Sequence, residues 1–90
     1  MDFSKDVNRF YKEEHGKLLA EITYLPKGDK VEVNHTFVDP SLRGQGVAEK
    51  LVDRVVVEME KEDKKIIPVC PYVGKLFERK PEKYGHIHAK

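Results

Sequence analysis

Across Asp39-Pro-Ser-Leu-Arg-Gly-Gln-Gly-Val-Ala48 the hydrophobic period of the chain changes from two residues to about 3.6. Before the change, Lys30 to Val38 alternates, with Val31, Val33, His35 and Phe37 on one face and Glu32, Asn34, Thr36 and Val38 on the other. After it, Val47, Leu51, Val55 and Met59 recur at helical spacing beside Ala48, Val52 and Val56, which predicts an amphipathic helix from Gly44 to about Glu62. A strand that enters a helix through a tight glycine turn returns to a parallel neighbour by a right-handed crossover. The returning strand is Lys65-Ile-Ile-Pro-Val-Cys70, and its Pro68 favours a sheet edge or a place where the sheet opens.

Upstream, residues 7–12 and the run Lys17 to Leu25 read as an antiparallel hairpin around a turn at Glu14 to Gly16. Pro26-Lys-Gly-Asp29 supplies the next turn, since Pro presets one dihedral, Gly permits positive φ and Asp can bond the backbone. After Pro71, Val73, Leu76 and Phe77 lie at helical spacing within Tyr72 to Lys80, and Pro81 stops that helix. Residues 83–90 are expected to form a loose tail. The order predicts an α+β fold: a mostly antiparallel sheet, one parallel strand-helix-strand crossover and a C-terminal helix. With 90 residues there is room for one core, so residues 1–90 are expected to be a single domain.

Seventeen Lys and Arg against 16 Asp and Glu leave a formal charge of +1, with no global drive toward nucleic acid, membranes or polyanions. An anionic ligand must therefore be held locally. The mixed charges of Glu58 to Lys65 read as a solvated helix end. Cys70 is the one cysteine, so no intrachain disulfide forms, and neither it nor the His86 and His88 pair matches a metal template. No metal is expected, and a reducing cytoplasm is the expected location. The polar first residues and the short apolar run Val55 to Val57 give no expectation of secretion or membrane spanning.

The glycine loop carries the chemistry. Gly44 and Gly46 let the backbone turn tightly and bring consecutive N–H groups toward a ligand, and the following helix adds a partial positive charge at its N-terminus. Arg43 adds a full charge, so the segment Arg43, Gly44, Gln45, Gly46, Val47 and Ala48 suits a diphosphate held largely by backbone. The plain alternative is a strand-to-helix turn with no ligand. The loop lacks the Gly-Lys-Ser/Thr ending of nucleoside triphosphatases and the third glycine of dinucleotide-binding folds.

Arg43-x-x-Gly46-x-Ala48, after a strand ending Phe-Val-Asp-Pro and before an amphipathic helix, resembles the acetyl-CoA signature of the GNAT superfamily of N-acetyltransferases. With His35-Thr36 and Cys70-Pro-Tyr72, the chain is similar over residues 8–80 to a small stand-alone GNAT-like subfamily. The resemblance implies acetyl-CoA as cosubstrate, with its pyrophosphate at Gly44 to Ala48 and its pantetheine arm beside the main chain of Phe37 and Val38. It also implies the nucleotide end near Lys75 and Arg79, while Phe77 reads as core. Typical members carry further N-terminal helices and C-terminal strands that build an acceptor pocket, for which this chain has no room.

Acetyl transfer to an amine needs a neutral nucleophile, oxyanion stabilisation and a proton donor to the departing thiolate. Cys70 ends the last strand where its neighbour should splay, so it is either a thiol facing the thioester, able to accept the acetyl group, or an inert buried residue. His35 is either a base for Cys70 or for the amine, or a packed core histidine. Tyr72 is either the acid toward the CoA sulfur or an aromatic anchor for the last helix. The expected activity is acetyl-CoA-dependent N-acetylation of an unidentified amine, a protein or polyamine amine fitting an open cleft best. The alternative is a non-catalytic acetyl-CoA-binding or sensing module. A structural or nucleic-acid-binding role is disfavoured by the balanced charge, and the chain is expected to be a monomer or a weak dimer.

Overall fold

The computed structural model describes residues 2–89. Five strands, Ser4–Asp6 (β1), Arg9–Glu14 (β2), Lys17–Lys27 (β3), Lys30–Val38 (β4) and Lys65–Pro68 (β5), form one sheet in that order. Every neighbouring pair is antiparallel except β4 and β5, which are parallel. The crossover between them is the helix Val47–Glu62 (α1), and the chain continues through Pro71–Arg79 (α2) and Pro81–Tyr84 (α3). The α+β architecture expected from the sequence is therefore present, with a short edge strand, β1, that periodicity did not reveal.

Helix α1 contains five valines, residues whose branched Cβ disfavours a helix by a few tenths of a kcal/mol each. Burial decides the matter: Val47, Leu51, Val52, Val55, Val56 and Met59 all pack into the core, and each full burial contributes about 1.5–3 kcal/mol. The helix begins at Val47 rather than Gly44, because Gly44 (φ +84°) and Gly46 (φ +72°) take left-handed conformations that no helical turn can contain. Asp63 ends it in the left-handed region, and the Lys64 N–H closes the last turn on the Met59 carbonyl at 2.9 Å.

Strand β3 runs to Lys27, so the expected Pro26–Asp29 turn shrinks to Gly28 and Asp29. Pro26 is accommodated because β2 has no residue in register with β3 beyond Thr23, leaving that side of the strand without a ladder partner.

The decisive irregularity is in β4. Thr23 pairs with His35 while Tyr24 pairs with Val33, so Asn34 is an extra residue and the strand bulges. Strict alternation placed His35 and Phe37 with Val31 and Val33. The bulge reverses the faces after Val33. Thr36 and Val38 turn toward the helix-covered side, whereas His35 and Phe37 face outward. One sheet face, with Phe10, Ala20, Ile22, Tyr24, Val31 and Val33, packs under the helices in a single core. The other face is bare: Arg9, Tyr11, Glu21, Thr23, His35 and Phe37 all retain exposure.

The segment expected to be a loose tail is docked. Tyr84 stacks on Phe77 at 4.9 Å and donates a 2.6 Å hydrogen bond to Asp53, and Ile87 is buried. Ile66 donates to Ile87 and accepts from Ala89, so the last described residues cover the outer edge of β5. An isolated His88 to Ile66 bridge is too short to be read from periodicity. No helix among the described residues is long and apolar enough to cross a membrane.

Candidate functional site

The loop after β4 is fixed at its start by Asp39. Its N–H donates to the Leu19 carbonyl at 2.7 Å, and its carboxylate accepts from the Ser41 N–H (3.0 Å) and hydroxyl (2.6 Å). These two Ser41 bonds, with Lys17 at 3.5 Å, hold the carboxyl below its ordinary pKa. A 3-10 turn at Pro40–Leu42 follows, then Arg43 and the two left-handed glycines. Gly46 caps α1 without any side-chain hydrogen bond, so the first N–H groups of that helix are left for an external acceptor.

Beside this turn lies a cleft of 370 Å³ lined by Val38, Leu42, Arg43, Gly44, Gly46, Val47, Ala48 and Tyr72. That volume falls within the range of small-molecule sites. A Cβ built on Gly44 or Gly46 would meet no atom within 4 Å, so the missing side chains leave the backbone open to a ligand. Of the loop residues singled out in the sequence, Gln45 is exposed in the turn and does not line the cleft. Leu42, an apolar residue in a polar loop, does.

Glu49, in the first turn of α1, would repel an anion there. Lys80 and Lys83 hold it at 2.9 and 2.7 Å, and these hydrogen bonds, that of Lys83 foremost, lower its pKa to about 2. The carboxylate is thus charged but neutralised, and the docked C-terminal segment supplies the lysines. Lys75 and Arg79 line a neighbouring hollow of 530 Å³ on α2 together with Glu78 and Tyr72. Tyr72 lines both hollows.

On the β5 side of the sheet, β5 stops at Pro68 while β4 runs on to Val38, which lines the cleft. The Cys70 N–H donates to the Val33 carbonyl at 2.8 Å, placing Cys70 against the bulge at the start of α2. Its Sγ lies 3.4 Å from Thr36 Oγ1, with either atom able to donate. Burial pushes the thiol up, but the Thr36 hydroxyl and the N–H groups of Val73, Tyr72 and Thr36 outweigh it, leaving the pKa below its ordinary value. No cap hydrogen bond closes from Sγ onto α2, so the helix acts through its field and the direct partner is Thr36. Burial, then the charge of Glu49, raises the Tyr72 hydroxyl, which keeps it protonated at neutral pH.

His35 does not join Cys70. The bulge sends its ring to the bare face, where Nε2 stands 3.6 Å from Glu21 Oε2. Thr36 takes the position by the thiol that alternation gave to His35. The Phe37 ring also lies on the bare face, so only its main chain borders the open edge of β4. Among the described residues no group of three or more His, Cys, Asp or Glu side chains converges as a metal site would.

A family profile described as GCN5-related N-acetyl-transferase matches residues 9–87. The chain belongs to that family. Among solved structures, a GCN5-like N-acetyltransferase candidate from Staphylococcus aureus superposes with a TM-score of 0.81 at 30% identity, covering 98% of this chain and 87% of that one. The ribosomal-protein-S18-alanine N-acetyltransferase of Escherichia coli gives a TM-score of 0.58 at 24% identity, covering 64% of this chain and 38% of the enzyme. The aminoglycoside N-acetyltransferase AAC(6')-Iy in complex with CoA gives 0.56 at 18%, covering 79% of this chain and 63% of the enzyme. No curated protein matches significantly by sequence. The GCN5-related family fold is thus present in a chain that spans under two thirds of these two enzymes.

Proposed function

We propose that this protein is an acetyl-CoA-dependent N-acetyltransferase that binds the cosubstrate pyrophosphate at Arg43 to Ala48. One observation carries the reading. A cleft walled by two left-handed glycines and an uncapped helix N-terminus is bordered by Val38 and Tyr72, two residues along their segments from Thr36 and Cys70, whose hydroxyl and thiol stand 3.4 Å apart. In the CoA-bound aminoglycoside enzyme the same fold holds CoA, which supports the choice of ligand.

The pyrophosphate meets the N–H groups of the turn and of α1, with Arg43 as counter-charge. Lys75 and Arg79 face the nucleotide end through the second hollow. The main chain of Phe37 and Val38, unpaired where β5 has ended, borders the pantetheine arm as an added strand would. Acetyl-CoA supplies an activated thioester. The amine nitrogen bonds to its carbonyl carbon, the carbon–sulfur bond breaks, and the departing thiolate takes a proton from Tyr72, which the amine's proton later restores. In the covalent variant the Cys70 thiolate attacks first and CoA leaves, and the amine then displaces the Cys70 sulfur. The lowered thiol pKa favours this variant.

The acceptor we favour is an exposed amine of a protein or polyamine, because the sheet is open where β4 runs on past the end of β5. The burial of Cys70, 8% exposed, favours a second reading, in which the cleft binds acetyl-CoA and a protein partner senses it. Amide NMR titration with acetyl-CoA, followed by intact-mass measurement and an amine panel, decides between them. Transfer predicts shifts at Gly44 to Ala48, CoA release with an amine, and loss of any acetyl adduct in Cys70→Ala. Binding with no adduct and no turnover supports sensing, and the absence of loop shifts refutes both.

A further inference from the structure

Helix α1 carries two carboxylates one turn apart, Glu49 and Asp53, on the side that meets the end of the chain. The turn after α2 answers them with three groups at matching spacing, Lys80, Lys83 and Tyr84. The N–H groups of Lys83 and Tyr84 both donate to the Lys80 carbonyl, which sets the three side chains toward α1 together. Lys80 Nζ donates to both Glu49 oxygens, at 3.1 and 2.9 Å. Lys83 Nζ bridges Glu49 at 2.7 Å and Asp53 at 3.2 Å, and the Tyr84 hydroxyl donates to the other Asp53 oxygen at 2.6 Å.

The place of Glu49 gives this cluster its meaning. It follows Ala48, which lines the cleft, within the first turn of α1. An acid there ordinarily stabilises a helix, because it sits in the positive end of the helix field. In this protein Gly46 offers no side-chain cap, so the same field is open to a ligand, and a bare carboxylate would cancel the attraction the turn holds for a diphosphate. The Glu49 charge does reach the cleft wall: after burial, it is the next cause that raises the Tyr72 hydroxyl. The two ammonium groups remove the conflict while the acid stays in place. Both belong to a segment held as a unit, by Tyr84 stacked on Phe77, by the burial of Ile87, and by the main-chain bonds of Ile66 with Ile87 and Ala89. Undocking that segment withdraws both lysines at once.

We infer that docking of the C-terminal segment, residues 80–89, makes the cleft competent for its diphosphate ligand. Lys80 and Lys83 are positioning residues that act through Glu49: they hold its carboxylate and mask its charge at the mouth of the turn. Docking of the segment and binding of the cosubstrate therefore stabilise each other, and the coupling is the repulsion between Glu49 and the diphosphate that appears when the lysines leave. The lysines need not touch the ligand, and a neutral side chain at position 49 makes them dispensable.

The inference rests on the cofactor reading, so acetyl-CoA is first titrated into the wild type and followed at the Gly44 to Ala48 amides, which report on that reading alone. In titration calorimetry, the variant with both Lys80→Gln and Lys83→Gln should bind acetyl-CoA about tenfold more weakly than the wild type. Adding Glu49→Gln to that pair should restore the affinity to within about twofold. Tyr84→Phe, which loses the Asp53 bond and keeps both lysines, should lower Tm and leave the affinity as in the wild type. Reciprocity gives a readout without the lysine variants. The Ala89 amide is bonded to the Ile66 carbonyl, and saturating acetyl-CoA should slow its hydrogen exchange about tenfold in the wild type and leave it unchanged in Glu49→Gln. Wild-type affinity in the lysine pair variant overturns the inference. So does a triple variant as weak as the pair, because the lysines would then contact the ligand directly or serve only the packing. Loop shifts with unaltered Ala89 exchange overturn the coupling and leave cofactor binding intact. An absence of loop shifts in the wild type overturns the cofactor reading together with the inference built on it.

Discussion

Replacing Gly46 by Ala separates the two roles of the glycine turn. Gly46 has φ +72°, a region that costs an L-residue about 1–2 kcal/mol. The added methyl meets no protein atom within 4 Å, so no steric term is added to that backbone cost. Folding stability should fall by about 1 kcal/mol, and for a domain of this size roughly 4–8 °C of Tm is lost per kcal/mol. The same methyl projects where the turn lines the cleft, so acetyl-CoA affinity should fall at least about tenfold, or 1.4 kcal/mol. Gly16 is the internal control. It sits in the β2–β3 turn at φ +76°, also with no atom within 4 Å of a built Cβ, and lines no part of the cleft. Gly16→Ala should carry the same thermal cost and bind acetyl-CoA as the wild type does. The assays are thermal unfolding by circular dichroism and titration calorimetry with acetyl-CoA. Equal, wild-type affinities in both variants would refute the reasoning that the ligand approaches the backbone at Gly46.

Two further outcomes follow from the pKa shifts. Thr36→Val removes the largest of the hydrogen-bonding contributions that together outweigh burial at Cys70, so the thiol pKa rises. Iodoacetamide alkylation should slow several-fold near neutral pH and converge with the wild type at alkaline pH. Glu49 has a folded pKa lowered from 4.5 to about 2, so its stabilising contribution is present above 4.5 and lost as pH falls toward 2. The Tm difference between wild type and Glu49→Gln should be constant near neutrality and close over that acidic window. A difference independent of pH would show that the Lys80 and Lys83 contacts do not act through the carboxylate charge.

Local rules made much of this protein legible. The change of period at residues 38–47 located the strand, the turn and the helix, because alternation and helical spacing both follow from where Cβ points. Gly44 and Gly46 announced left-handed backbone, a steric property of the residue itself, whereas β5, read from the sequence as far as Cys70, ends two residues earlier at Pro68. Most of the loop residues that line the cleft followed from this, whereas Tyr72 was singled out by the family resemblance and Leu42 was not singled out.

The neighbours of Cys70 were decided by tertiary structure. A bulge at Asn34 reverses every face beyond it, and nothing in Lys30 to Val38 read alone shows that Tyr24 will pair with Val33 and Thr23 with His35. Pairing across two strands chose Thr36 for the thiol and gave His35 to Glu21. The C-terminal segment likewise carries little periodic signal, because it is held by scattered partners: Tyr84 by Asp53, Lys83 by Glu49, and Ile87 and Ala89 by one residue of β5. Sequence determined where the chain turns and which glycines take left-handed backbone between β4 and α1. Only the folded sheet decided which side chains share a face at the open end of β4, since that depends on register between segments far apart in the chain.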